Sequence, residues 1–195
     1  SESDAFTFES EWKRERKINK WLKEIKPVLQ STDNPVVLGE DFARSGDLTV
    51  IWLDEIIAEG QSKTLCVIEL RNIPFAQQWQ MIRLIGNELK SFEGAAFDAR
   101  GNGQMIAEYA VQEWPGYVYQ VMLSRKWYAE NFPHLKSAFE DKMTTVPNDA
   151  FILDDFKAVK VVQGVPLINE RTGGGRMKRH GDACIAKVMA KFAEL

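Results

Sequence analysis

The sequence has little of what several large protein classes depend on. Its 195 residues include two cysteines without CxxC spacing and only two histidines, so neither a disulfide framework nor a histidine-rich zinc site is expected. No glycine is followed by lysine, which excludes a P-loop from this chain. The HExxH and GxSxG patterns are also missing. No apolar run approaches the roughly 18 residues of a membrane span, and the first residues lack a signal-peptide core. We therefore expect a cytoplasmic protein that contacts no membrane and whose chemistry rests mainly on carboxylates.

The composition is that of one well-buried globular domain. The hydrophobic fraction is 45%, and 25 Lys and Arg residues stand against 28 Asp and Glu residues, for a net charge of -3. This balance excludes a histone-like basic protein and an acidic disordered tail. The cysteines, Cys66 and Cys184, each lie in an apolar stretch, so both are expected to be buried free thiols.

Residues 1–35 differ from the rest of the chain. Residues 8–30 are predicted to form one helix, because apolar residues recur there three and four positions apart. The same segment carries seven basic residues: Lys13, Arg14, Arg16, Lys17, Lys20, Lys23 and Lys26. One interpretation is the solvated face of a docking helix. The other is a linker helix from an upstream domain that contacts nucleic acid.

The body of the chain begins with three apolar, β-branched runs over 36–42, 48–57 and 64–71, whose short connections predict an antiparallel meander. After these runs, the spacing of the apolar residues alternates between that of a helix and that of a strand. The predicted elements are a helix over 75–91, a strand over 94–98, a helix over 104–113, a strand over 117–123, a helical region interrupted by Pro133, a helix over 149–162, a Gly-rich hairpin-like stretch over 164–179 and a helix over 182–193. A meander followed by αβαβα is the element order of the ribonuclease H-like fold, an α/β mixed sheet with flanking helices.

Three aspartates stand at the ends of predicted elements. Asp41 ends the first strand, Asp98 ends the fourth, and Asp182 opens the last helix. Ligands of open α/β sheets bind beyond the carboxyl ends of strands, and converging carboxylates repel one another unless divalent cations hold them ionised. Oxygen ligands of this kind suit Mg²⁺ or Mn²⁺. Each residue alone also has a structural interpretation: a turn cap for Asp41, a turn former for Asp98 and a first-turn helix residue for Asp182.

The segments around these aspartates resemble a known family. Residues 38–51 (LGEDFARSGDLTVI) resemble the opening nuclease motif of phage terminase large subunits, 97–103 (FDARGNG) the second acidic motif and 179–186 (RHGDACIA) the third. The resemblance is to the Mu-like prophage type and covers about residues 36–195. Two residues depart from the pattern: Glu40 replaces an apolar residue, and Lys187 interrupts a run of small apolar ones.

The resemblance implies a function and a domain division. Residues 36–195 would be a ribonuclease H-like nuclease domain, and residues 1–35 a helix and linker from an ATPase domain absent from this chain. The activity would be metal-dependent endonucleolytic cutting of double-stranded DNA during viral genome packaging, by two-metal phosphodiester hydrolysis. Asp41 would bridge two Mg²⁺ or Mn²⁺ ions, Asp98 would bind one ion and Asp182 the other. The partners would be double-stranded DNA, a portal protein, a small terminase subunit and the ATPase domain, and the isolated domain would be monomeric.

Further residues are candidates around this centre. Asp47 either holds a metal ligand in position or forms a turn. His180 either contacts phosphate or a bound water or packs where the last helix begins. Glu69 is either a paired structural carboxylate or a contributor to the metal site. The candidate DNA contacts are Arg44, Arg100, Arg171, Arg176, Lys178 and Arg179. From Glu170 to Lys191, six basic residues stand against two acidic ones, which suits phosphate contacts, although a simple solvated loop explains the excess too.

Two other functions remain open at this point. Another nuclease or a transposase of the same fold would share the acidic triad. A non-catalytic docking module of a packaging motor, binding portal or capsid protein or DNA, would instead use Trp12, Trp21 and the basic helix as its surface. Only the docking module predicts that alanine replaces the three aspartates without loss of function.

Overall fold

The computed structural model describes residues 10–43, 48–168 and 181–194. The helices are α1 (Glu11–Leu29), α2 (Phe75–Glu88), α3 (Gly103–Glu113), α4 (Arg125–Glu140), α5 (Ala150–Lys157) and α6 (Asp182–Glu194). The strands are β1 (Val36–Asp41), β2 (Leu48–Ala58), β3 (Gln61–Arg71), β4 (Phe92–Asp98), β5 (Val118–Val121), β6 (Val159–Val162) and β7 (Val165–Ile168). Within the described ranges, no helix is both long and apolar enough to cross a membrane.

Five strands form one mixed sheet in the order β3-β2-β1-β4-β5. β1, β2 and β3 pair antiparallel, whereas β4 pairs parallel with β1 and β5 pairs parallel with β4. The parallel pairs require crossover connections, which α2 and α3 supply. The predicted meander followed by alternating helices and strands is therefore confirmed.

Helices cover both faces of the sheet. Leu38, Ile51 and Phe97 are fully buried on one face, beneath α1, α2 and α3. Trp52 and Ala96 lie on the other face and pack against α4, α5 and α6. This alternation follows from the period of a strand, since successive side chains point to opposite faces.

Helix α6 lies directly over β1, in the centre of the second face. Gly39 in β1 allows this approach, because a Cβ there would collide with the backbone of Ala186 and Ala190. The helix presents three fully buried alanines to the sheet, Ala183, Ala186 and Ala190, at three- and four-residue spacing. The N-terminus of α6 consequently lies at the carboxyl end of β1.

The predicted helix over 149–162 is wrong at its C-terminal end. Helix α5 ends at Lys157, and residues 159–162 form β6, which pairs antiparallel with β7 in a second, two-stranded sheet. The valines of β6 favour a strand, and Gln163 (φ 51°) with Gly164 (φ 78°) forms a two-residue hairpin turn. The predicted hairpin-like stretch over 164–179 begins as β7, and its residues 169–179 lie outside the described residues.

The predicted interruption at Pro133 is also wrong. Helix α4 runs through Pro133 without a break. Although proline removes one helical hydrogen bond, Phe132 and Leu135 on either side of it are buried against Val188 of α6. The packing of these side chains therefore keeps the helix continuous.

Both cysteines are free thiols, as expected. Cys184 is buried, whereas Cys66 is partly exposed, which corrects the prediction that both are buried. Burial raises the pKa of the Cys66 thiol to about 12, so this thiol stays protonated near neutral pH.

Candidate metal centre

The three predicted aspartates lie at one edge of the sheet. Asp41 is the last residue of β1 and Asp98 the last residue of β4, and these two strands are parallel neighbours. Asp182 is the first residue of α6, above the carboxyl end of β1. Each of the three residues is 6% exposed or less. The structure thus brings together side chains that are far apart in the sequence.

Gly181 sets the position at which α6 begins. Its φ of 77° is a left-handed conformation, and a Cβ there would approach the Ile168 side chain within 2.6 Å. The Ile185 N–H donates to the Gly181 carbonyl at 3.0 Å, which closes the first helical turn. A glycine at this position therefore places Asp182 at the helix N-terminus, where the helix dipole favours a negative charge.

The electrostatics of Asp41 show that the cluster has excess negative charge. Burial raises the pKa of Asp41 well above its usual value, and the carboxylates of Asp182 and Asp98 raise it further. Arg100 opposes this effect, and Asp155 adds to it. A cation bound between these groups would relieve the repulsion. Three buried carboxylates of this kind fit a hard divalent cation.

Arg100 contacts the cluster through Asp98. Its Nε donates to Oδ1 of Asp98 at 2.9 Å and its Nη2 to Oδ2 at 2.9 Å, while its backbone N–H donates to Oδ1 at 3.0 Å. These hydrogen bonds raise the pKa of the Arg100 guanidinium. Among the described residues, no three His, Cys, Asp or Glu side chains are already arranged as a metal site. Both carboxylate oxygens of Asp98 thus already accept hydrogen bonds from Arg100.

Asp155 is a fourth carboxylate of the cluster, which the sequence analysis missed. It lies on α5, is 2% exposed, and its Oδ2 accepts a hydrogen bond from the Ala183 N–H at 3.0 Å. This contact holds the first turn of α6 and hence the position of Asp182. The signal in the sequence was helical spacing, because Asp155 comes three residues after the buried Ile152.

Glu40 faces the opposite side of the sheet from Asp41, as strand alternation predicts. It is fully buried, and its Oε2 accepts a hydrogen bond from the Asp98 backbone N–H at 3.3 Å. Burial raises the pKa of Glu40 well above its usual value, and Asp98 and Asp41 add to the effect. Glu40 therefore supports the end of β4 from beneath the aspartates.

Glu69 does not join the three aspartates. It lies on β3 opposite Val50, which in turn lies opposite Asp41 on β1. Two strand spacings, about 10 Å, therefore separate Glu69 from Asp41. The other candidates lie outside the described residues: Arg44, Asp47, Arg171, Arg176, Lys178, Arg179 and His180.

Comparison with known proteins gives two sequence relatives. The chain is 38% identical over 180 residues to the probable terminase large subunit gp28 of Escherichia phage Mu, covering 89% of this chain and 33% of the relative. It is 35% identical over 173 residues to the Mu-like prophage FluMu protein gp28 of Haemophilus influenzae, covering 87% of this chain and 34% of the relative. No protein-family model matches. The chain thus spans about a third of the length of these relatives.

The fold is similar to that of solved nuclease domains. The crystal structure of the large terminase nuclease from thermophilic phage G20c with bound magnesium has a TM-score of 0.65 at 17% identity, covering 84% of this chain and 83% of that one. Structures of the same nuclease with bound zinc and with bound cobalt have TM-scores of 0.60 and 0.64, both at 18% identity, and cover 81% and 82% of this chain and 80% and 81% of theirs. The ribonuclease H-like fold is thereby confirmed. The chain belongs to the terminase large subunits of Mu-like phages and corresponds to about a third of those proteins.

Proposed function

We propose that the chain is the nuclease part of a phage packaging terminase, a metal-dependent endonuclease that cuts double-stranded DNA. The observation that carries the proposal is the convergence of Asp41, Asp98 and Asp182 at the carboxyl ends of β1 and β4. Buried carboxylates that repel one another destabilise a fold, and a bound cation would offset that repulsion. The family of the chain and the fold of its structural neighbours agree with this activity.

The donor set favours Mg²⁺ or Mn²⁺, since all three side chains offer hard oxygen ligands. The magnesium, zinc and cobalt bound in the G20c nuclease structures support a divalent cation here. We assign Asp41 to both of two ions, because it ends the central strand, and Asp98 and Asp182 to one ion each. When bound, such a pair of ions supplies an activated water and stabilises the departing 3′ oxygen of the phosphodiester.

The chain's own residues perform the remaining tasks. The sheet edge and α6 hold the carboxylates in fixed positions with little water around them. Asp155 fixes the first turn of α6, and Arg100 neutralises Asp98. If Asp98 held an ion, the Arg100 guanidinium would be free to bind a DNA phosphate, as its assignment as a DNA contact predicts.

The partners and surroundings of the protein are part of the same proposal. The substrate is double-stranded DNA, contacted without regard to its sequence, and the basic residues between 170 and 191 add phosphate contacts. Residues 1–35 connect the nuclease domain, residues 36–195, to an ATPase domain. Portal protein and small terminase subunit are the protein partners, the host cytoplasm is the location, and the isolated domain is a monomer.

Plasmid cleavage tests the proposal. The chain is incubated with supercoiled DNA in Mn²⁺, Mg²⁺ or EDTA, beside Asp41→Asn and the control Asp154→Asn, which alters an exposed carboxylate on α5. We expect metal-dependent nicking and linearisation by the wild type and the control, and none by Asp41→Asn. Asp41→Asn should also lose Mn²⁺ binding in calorimetry.

Stability in EDTA distinguishes loss of a ligand from loss of the fold. Because burial and the neighbouring carboxylates raise the pKa of Asp41, its neutral replacement should raise the melting temperature of the metal-free chain. Equal cleavage by Asp41→Asn and the wild type would contradict the proposed site. A wild type that binds no divalent cation would favour the docking module.

A further inference from the structure

Helix α1 has an outer face that the proposed active site does not use. Its inner side packs on the body through Ile18 and Leu29, both fully buried. The opposite side exposes one tryptophan and four cations at three- and four-residue spacing: Trp12, Lys13, Arg16, Lys20 and Lys23. We call these five residues the α1 outer face.

The positive charge of the α1 outer face is not paired within the described chain. In the described ranges, no ion pair joins Lys13, Lys20 or Lys23 to a carboxylate, whereas Lys26 at the side of the helix pairs with Glu88 at 2.9 Å. The whole chain has a net charge of -3, so this cluster is opposite in sign to the protein around it. A concentrated field of this kind attracts a polyanion.

The exposed Trp12 is a second feature that distinguishes the α1 outer face from a charged face that only contacts solvent. It is 62% exposed, and the Arg16 guanidinium lies 5.4 Å from the centre of its ring. This cation–π contact holds a flat cationic group at the N-terminal end of the α1 outer face. Planar guanidinium groups bind phosphate oxygens in a fixed geometry.

The N-terminal half of α1 lies near the edge of the sheet that carries the aspartates. Lys17 and Lys20 line a groove of about 330 Å³ together with Glu69 and Arg71 at the end of β3. Glu69 is level with Asp41, two strands away. The N-terminal half of α1 and the aspartates are therefore at the same edge of the sheet, and a duplex lying along that edge would run past both.

We infer that the α1 outer face binds the phosphate backbone of the duplex DNA that is cut at the aspartate cluster. The inference rests on the proposed function. From Lys13 to Lys23 the helix rises about 15 Å, along which a duplex carries about nine phosphates. Lysine and arginine contacts of this kind hold DNA in place and carry no sequence information. The face adds affinity for substrate and takes no part in the hydrolytic step.

The test measures how DNA affinity depends on salt. A fluorescent 30-base-pair duplex is titrated in EDTA, so that no cleavage occurs, with the wild-type chain and with Lys13→Gln/Lys20→Gln/Lys23→Gln. We expect affinity to fall roughly ten- to hundredfold near 0.1 M salt, and the slope of log K against log salt to decrease in magnitude by about 3. In steady-state cleavage KM should rise while kcat changes little.

A matched control removes the same charge elsewhere. Lys63→Gln/Lys90→Gln/Lys136→Gln neutralises three exposed lysines away from α1 and should leave the salt slope within experimental error. An unchanged slope in the α1 variant, an equal loss in the control, or a wild type whose DNA binding ignores salt would each overturn the inference. The first of these results is expected if the face binds an acidic protein surface instead.

The failure of this inference is distinguishable from failure of the proposed function. If Asp41→Asn loses cleavage while the α1 variant keeps its salt slope, the nuclease proposal stands and the inference fails. If the α1 variant loses the slope while Asp41→Asn still cuts DNA, the DNA contact stands and the assigned active site fails.

Discussion

Arg100 clamps Asp98 through two parallel hydrogen bonds, from Nε to Oδ1 and from Nη2 to Oδ2, both 2.9 Å long. Paired contacts between arginine and carboxylate are among the stronger hydrogen bonds in proteins. Asp98 is thus neutralised by a residue only two positions away in the chain. The same contact would compete with any ion that uses Asp98 as a ligand.

Replacing Arg100 should therefore strengthen divalent cation binding. We expect Arg100→Gln to bind Mn²⁺ about tenfold more tightly than the wild type, because the ion no longer displaces a charged hydrogen-bond donor. Isothermal titration calorimetry measures the affinity. The control, Arg83→Gln, removes an arginine that pairs with Glu113 at 2.9 Å on the surface and should bind Mn²⁺ like the wild type. Unchanged or weaker Mn²⁺ binding by Arg100→Gln would show that the clamp does not compete with the ion.

Asp155 should matter through its hydrogen bond to Ala183 more than through its charge. Asp155→Ala removes the acceptor at the start of α6 and should lower the free energy of unfolding by about 1–2 kcal/mol, with weaker metal binding because Asp182 shifts. Asp155→Asn retains an acceptor oxygen and should keep most of the stability. Urea unfolding and Mn²⁺ calorimetry measure both effects, with exposed Asp154→Ala as the control. Equal stability of Asp155→Ala and wild type would refute this role.

Asp41, Asp98 and Asp182 could be located from the sequence because each stands where an element begins or ends. The end of an apolar run can be identified from the sequence alone. Because parallel strands place their carboxyl ends at one edge of the sheet, residues at two such ends are predicted to lie close together. Glu40 could be assigned to the opposite face for the same reason, since strand alternation depends only on neighbouring positions.

Features that depend on contacts between distant segments could not be predicted. Asp155 joins the cluster only because α5 packs against α6, which nothing in the local pattern indicates beyond its spacing from Ile152. The clamp on Asp98 depends on the conformation of the Arg100 side chain. Residues 159–162 are predicted as helix because their apolar residues continue those of α5. A short apolar run fits a helix or a strand, and here the pairing with β7 makes it a strand.

Glu40 should make the stability of the metal-free chain depend on pH. A carboxyl whose pKa is raised on folding binds more protons in the folded state, so stability is greatest below the unfolded pKa and is lost as pH rises toward the folded pKa. In EDTA the contribution of Glu40 to the free energy of unfolding should fall as pH rises above 4.5, the usual pKa of a glutamate. Glu40→Gln, which retains an acceptor for the Asp98 N–H, should fall less steeply. Exposed Glu59→Gln should follow the wild-type profile, and identical profiles for all three proteins would contradict the prediction.

Lys187 forms a fully buried ion pair with Asp54 between α6 and β2. Its Nζ also donates to the Thr144 hydroxyl at 2.7 Å, and the Trp52 indole N–H donates to Asp54 at 2.8 Å. Burial lowers the pKa of Lys187, whereas Asp54 opposes the shift. Lys187, which departs from the family pattern, is thus paired with Asp54. Each of the two buried charges is neutralised by the other.

This dependence predicts strong coupling between two substitutions. Lys187→Met leaves Asp54 buried without a cation and should cost about 3–5 kcal/mol of unfolding free energy. Lys187→Met with Asp54→Asn removes both charges, keeps an acceptor for Trp52 and should recover most of that loss. Urea unfolding of the four proteins of the double-mutant cycle gives the coupling energy. The exposed pair of Lys90 and Asp33 serves as the control, with an expected coupling below about 1 kcal/mol. Additive losses at Lys187 and Asp54 would show that the buried pair does not stabilise the contact between α6 and β2.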